Sequence, residues 1–145
     1  NLRAYPVLKL AGALEAGRVR EALRRLRRGE WVALFPEGEM RYPGPLGPLR
    51  EGANWLARKA GVPLLPVALR VVLRGYEHPE AFLWVGRPLP PGGDLGRALG
   101  GLLQALDALL AKTHPREVPE GFREVLRGRR SLEERVLPLV RLLRP

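Results

Sequence analysis

Trp31-Val32-Ala33-Leu34-Phe35-Pro36-Glu37-Gly38 is the stretch from which the rest of the chain can be placed. A run of apolar residues ended by Pro and Gly predicts a short buried strand running into a tight loop. A carboxylate then stands where the backbone leaves the sheet. In open α/β sheets ligands bind there, outside the carboxyl ends of the strands. Pro-Glu-Gly is equally a common turn former. Taken alone, these residues leave a surface turn and a ligand-binding loop both open.

Downstream, the Pro- and Gly-rich run from Pro43 to Pro48 cannot be helix or central strand and predicts a stiff surface loop. Residues 51–60 read as a short helix with Ala53, Leu56, Ala57 and Ala60 inward, stopped by Gly61. The near-continuous apolar run over 64–73 predicts a strand buried on both faces, as in a parallel sheet. Strand, helix and strand over 31–73 then make one βαβ unit. A further strand is expected at 82–85. After Gly92-Gly93, Asp94 is a candidate N-cap for a helix carrying Leu95, Leu99, Leu102, Leu103, Leu106, Leu109 and Leu110 on one face and ending near His114. Upstream, Val19, Ala22, Leu23 and Leu26 recur at i, i+3, i+4 and i+7, one apolar stripe of an amphipathic helix over 19–28. Gly29 stands where a left-handed cap belongs, and the Arg cluster suits the end of the helix dipole. A short helix is expected within 3–14. The basic tail, with a capping box at Ser131-Leu132-Glu133-Glu134 and a break at Pro138, reads as an appended helical arm over 113–145.

A chain of 145 residues, 46% of them hydrophobic, is one globular domain with a real core. No apolar run reaches the ~18 residues of a membrane span. The absence of Cys excludes disulfides, thiolate nucleophiles and thiolate metal sites, and suits a cytoplasmic protein. With two His and no metal-ligand spacing, no metal site is expected. The net charge of +10 calls for an anionic partner. Of the basic residues only Lys9, Lys59 and Lys112 are Lys, and Arg suits phosphate because its planar fork binds two oxygens at once. Lipid surfaces, acidic carrier proteins, phosphorylated metabolites and nucleic acid would all be attracted. The scattered aromatic residues offer no stacking platform, so no nucleic-acid partner is expected.

The order Phe35-Pro36-Glu37-Gly38, Gly52-Ala53 at the start of a helix, then Gly61-Val62-Pro63-Leu64-Leu65-Pro66-Val67 resembles motifs III and IV of the glycerolipid acyltransferase family, the lysophosphatidate and glycerol-3-phosphate acyltransferases. Gly12 with Arg18 six residues on is similar to motif II, and Gly86-Arg87-Pro88-Leu89 to the end of the third strand. The resemblance covers roughly residues 5–112. It implies an α/β fold with a mixed, mostly parallel sheet flanked by helices, over residues 1–112. It also implies transfer of a fatty acyl group from acyl-CoA or acyl carrier protein to a hydroxyl of lysophosphatidate or a related glycerol phosphate, with no tightly bound cofactor. Arg18 would hold the acceptor phosphate. Phe35, Pro36, Glu37, Gly38 and Arg41 would line the acceptor site, and Gly12, Pro63 and Pro66 would shape its surroundings. The setting implied is phospholipid biosynthesis at the inner, anionic face of a membrane, with the protein bound peripherally.

Two departures stand out. Where the family commonly carries Arg two residues after the Gly of motif III, this chain has Met40, with Arg41 one step later. The catalytic His-x-x-x-x-Asp is also absent: His78 is followed five residues on by Leu83, and His114 by Pro119. Both His read as turn residues beside Pro. The catalytic His and Asp are expected on a segment before Asn1. A relative that binds anionic lipid or carrier without catalysis, and a basic nucleic-acid-binding domain, are the alternatives.

Overall fold

The computed structural model describes residues 12–14, 17–39, 44–75 and 77–126. Helix α1, Val19–Arg27, buries Ala22 and half-buries Leu23 and Leu26 on its apolar stripe. It ends as the Gly29 position predicts. Gly29 has φ +80°, its N–H donates to the Leu26 carbonyl, and the Glu30 N–H reaches back to Arg25, a Schellman closure. Helix α2, Gly52–Ala60, turns Ala53, Leu56 and Ala57 inward and stops at the left-handed Gly61. Helix α3, Leu95–Lys112, starts at Asp94, whose carboxylate accepts from the Arg97 N–H at 2.9 Å. Such a cap stabilises a helix by about 1 kcal/mol. Leu95, Leu99, Leu103 and Leu106 form its buried face, each worth roughly 1.5–3 kcal/mol of hydrophobic burial.

Strand β1, Val67–Val72, pairs with β2, Glu80–Val85, in an antiparallel register running from Val67 opposite Val85 to Val72 opposite Glu80. Leu64 and Leu89 extend the pairing by an isolated bridge. Ala68 and Phe82 point to the α3 side, where Leu103 and Leu106 complete one core cluster. Ala53, Leu95 and Leu99 form a second cluster, and Leu46, from the Pro-rich loop, packs against both. Phe122 packs edge-to-face on Phe82 and Trp84, with ring centres 5.8 Å apart in each pair. Residues beyond α3 therefore join the core, and Pro119 is fully buried.

Three expectations need correction. Residues 31–35 have no regular secondary structure and make no ladder with any described residue, and Trp31 and Phe35 are 87% and 82% exposed. A strand needs a neighbour to satisfy its N–H and C=O groups, and none of the described residues lies alongside. The βαβ unit is therefore not present among them. The sheet they form is two-stranded and antiparallel, so the described residues show helices with a small sheet, consistent with a mixed α/β fold, and do not show the mostly parallel arrangement expected. Finally, β1 is buried on one face only: Val67, Leu69 and Val71, opposite Val85, Leu83 and Ala81, form an uncovered apolar face. Beyond residues 12–14, which are not helical, the helix expected over 3–14 lies outside the described residues, as do the capping box at 131–134 and Pro138.

Candidate functional site

The Phe35-Pro36-Glu37-Gly38 segment is a tight turn. Pro36 presets its second position, and the Gly38 N–H donates to the Phe35 carbonyl at 3.0 Å. Gly38 itself has φ +71°, a conformation that side-chain-bearing residues avoid. The loop over 44–50 braces this turn at two points. The Gly47 N–H donates to Glu37 Oε1 at 2.8 Å, and the Arg50 N–H donates to the Pro36 carbonyl at 2.8 Å. Half-buried Glu37 is thereby oriented through one oxygen, while Oε2 has no hydrogen-bond partner among the described residues.

Arg50 lies across Gly38: a Cβ built on that glycine would overlap Arg50 Nε and stand 2.9 Å from Cζ. The space that the missing side chain leaves is taken by a guanidinium of this chain. Among the described residues that guanidinium has no carboxylate or carbonyl partner. A carboxylate and a cation thus flank one turn.

On β1, Arg70 grips Asp107 of α3 with two parallel bonds, Nε to Oδ1 at 2.6 Å and Nη2 to Oδ2 at 2.8 Å. Its Nη2 also donates to the Gly44 carbonyl at 2.8 Å. The Asp107 hydrogen bonds, with a smaller contribution from the charge of Glu37, raise the Arg70 pKa, and the Arg70 hydrogen bonds hold the Asp107 carboxyl below its ordinary value.

Arg18 is the exposed residue before the first turn of α1. With Arg20, Arg24, Gly52 and Trp55 it borders an open groove of about 750 Å³ between the starts of α1 and α2. Gly12 has φ +83° and faces Arg25, so it shapes the entry to α1. Pro63 is exposed, whereas Pro66 is buried and accepts from the Gly86 N–H at 2.9 Å. Arg41 and Met40 lie outside the described residues. His78 sits in the β1–β2 connection, and His114 Nδ1 accepts weakly from the Arg116 N–H at 3.3 Å. Neither His is bonded to the turn, in keeping with the turn-residue reading.

The sequence reading missed Arg50, Arg70 and Asp107. A signal existed for the last two: each is a lone charge in an otherwise apolar run, on β1 and on α3, with opposite sign. Nothing flagged Arg50, because its role depends on a tertiary fold-back onto Gly38.

Comparison with known proteins points the same way as the motifs. The profile of the Acyltransferase family matches residues 5–70, which contain Gly12, Arg18, the 35–38 turn, its brace and Pro66. The match, together with the relatives below, supports the glycerolipid acyltransferase family. It is 32% identical over 98 residues to the 1-acyl-sn-glycerol-3-phosphate acyltransferase of Pseudomonas aeruginosa, covering 61% of this chain and 37% of that protein. It is 36% identical over 93 residues to the N-acylphosphatidylethanolamine synthase of Arabidopsis thaliana, covering 61% of this chain and 31% of that one. A chloroplastic 1-acyl-sn-glycerol-3-phosphate acyltransferase of Brassica napus is 37% identical over 51 residues, 35% of this chain and 15% of its own. The chain spans about a third of the first two curated relatives. No solved structure matches it.

Proposed function

We propose that the chain is part of an enzyme that transfers a fatty acyl group from a thioester, acyl-CoA or acyl carrier protein, to a free hydroxyl of lysophosphatidate or a related glycerol phosphate. The observation that carries this reading is the 35–38 turn, where Glu37 is oriented by Gly47 and Arg50 lies over Gly38 with no partner among the described residues. A phosphate needs fixed positive charge, which Arg50, Arg18 and Arg41 would supply, and a hydroxyl that must attack needs an oriented acceptor for its hydrogen. Glu37 Oε2 would orient the acceptor or a neighbouring Arg. Phe35 and Pro36 would form the wall, Gly38 would leave room for Arg50, and Gly12, Pro63 and Pro66 would hold the surrounding backbone.

The proton of the attacking hydroxyl requires a general base, a task worth roughly 10²–10⁴-fold. In this reading a His-x-x-x-x-Asp segment preceding Asn1 supplies it. The same segment would place strands beside residues 31–35 and complete a mixed, mostly parallel sheet over the domain of residues 1–112, with 113–145 as a basic arm whose first part, through Phe122, packs into the core. No described helix is long and apolar enough to cross a membrane. The exposed Arg20, Arg24, Arg27 and Arg28 of α1 would instead meet an anionic inner membrane surface peripherally.

The test is thiol release from acyl-CoA or acyl carrier protein by the full-length protein. Release should depend on added 1-acyl-sn-glycerol 3-phosphate or glycerol 3-phosphate. Release that ignores every phosphate-bearing acceptor, or no release at all, would overturn the proposal.

A further inference from the structure

Two kinds of anchor could hold the 44–50 loop against the core, and they have different consequences for the turn. Leu46 packs against both core clusters and Leu49 against one, so these apolar side chains give burial without direction. Arg70 gives direction. Its guanidinium is locked in plane by two bonds to Asp107, and its Nη2 fixes the Gly44 carbonyl at 2.8 Å. Three residues on, the Gly47 N–H is the group that orients Glu37. Pro45 lies between the two glycines and removes backbone freedom there, so a displacement of Gly44 carries to Gly47.

We propose that Arg70 is a positioning residue for the acceptor site: by tying Gly44 to β1 and α3, it sets where Gly47 meets Glu37. The chain of contacts runs from Asp107 through Arg70, Gly44 and Gly47 to Glu37, joining residues that are 70 positions apart in sequence. The effect of Glu37 on the Arg70 pKa places the two charges within each other's field, which supports the same route. A lysine cannot replace Arg70, because one ammonium cannot make two parallel bonds to a carboxylate and a third to a carbonyl at this geometry. This inference rests on reading the 35–38 turn as part of the acceptor site, but its structural half can be tested without that reading.

The experiment uses the full-length protein with Arg70→Met, Arg70→Lys and Asp107→Asn. Amide hydrogen exchange at Gly47 is followed by NMR, beside the Michaelis constants for 1-acyl-sn-glycerol 3-phosphate and for acyl-CoA. In both Arg70 variants Gly47 exchange should rise on the order of 10-fold, while amides of α3 and of the β1–β2 ladder change little. The acceptor KM should rise on the order of 10-fold, with kcat and the acyl-CoA KM largely kept. Asp107→Asn, which keeps the Gly44 contact, should give a smaller change in the same direction. Unchanged Gly47 exchange in Arg70→Met would overturn the proposal and leave Leu46 and Leu49 as the anchors. So would full rescue by lysine, or a uniform rise of all amides with kcat and both KM values shifting together. If Arg70→Met fails to fold, Arg70→Lys decides. If the wild type transfers no acyl group, the acyl-transfer reading fails, and Gly47 exchange alone still tests the positioning role.

Discussion

At the scale of single residues, the glycine of the 35–38 turn is needed for two separable reasons. Its φ of +71° disfavours any side chain, and Arg50 occupies the space a Cβ would take. Gly38→Ala should therefore destabilise the protein by about 1–3 kcal/mol in urea unfolding. The cost should be smaller in an Arg50→Ala background, where only the backbone strain remains; equal costs in both backgrounds would show that Arg50 does not press on the glycine. Glu37 also has a structural bond to lose. Glu37→Ala removes the acceptor of the Gly47 N–H and should cost about 1.5–3 kcal/mol, as charged hydrogen bonds do. Glu37→Gln keeps an oxygen for Gly47 and removes only the charge. These two glycine and glutamate positions were visible in the sequence, because turn chemistry is local. Arg50 was not visible, because ten or more residues of loop separate it from the atom it covers.

At the scale of elements, the helices were legible and the sheet was not. Periodic apolar positions, Asp94 before α3 and glycines after α1 and α2 set all three helices, since each signal acts within a turn or two of its own residue. Strand patterning reports which faces want burial but carries nothing about the neighbour or its direction. Hence β1 was expected beside 31–35 and is found antiparallel to β2. The Arg70–Asp107 tie between β1 and α3 has a pH signature. The Asp107 carboxyl titrates lower folded than unfolded, so its contribution is present at neutral pH and is lost as pH falls through the folded value, below about pH 4. The raised Arg70 pKa adds stability that disappears only in strong alkali, beyond the range of a melting experiment. Asp107→Asn should lower the melting temperature at pH 7, with the gap to wild type closing toward pH 3. A constant gap across that range would mean the pair contributes nothing through its charge. Because the Asp107 side chain is half exposed, solvent screening keeps this effect small.

At the scale of the whole molecule, one apolar face and the apolar segment 31–35 lack a described ladder partner. Val67, Leu69, Val71, Leu83 and Val85 form the face, and Leu83 is 58% exposed. Under the proposed reading, further strands beside residues 31–35 enlarge this sheet and more of the polypeptide covers it. Leu83→Asp should then destabilise the full-length protein by about 2 kcal/mol or more, and change the stability of the isolated 145 residues by less than about 0.5 kcal/mol. Similar effects in both would argue that nothing else packs there. The excess of ten positive charges is also a whole-molecule property. Binding to anionic vesicles should weaken as salt rises from 0.05 to 0.5 M, roughly a threefold contraction of the screening length. Salt-independent binding would count against electrostatic docking through α1.

The most direct test of the account compares wild type with Glu37→Gln in the full-length protein, by acceptor-dependent thiol release from acyl-CoA and by melting temperature. Acyl transfer should fall about 100-fold as the acceptor loses its orientation, with a melting temperature within a few degrees of wild type because Gly47 keeps its partner. Transfer at the wild-type rate would contradict it, since the 35–38 turn would then be a turn and nothing more.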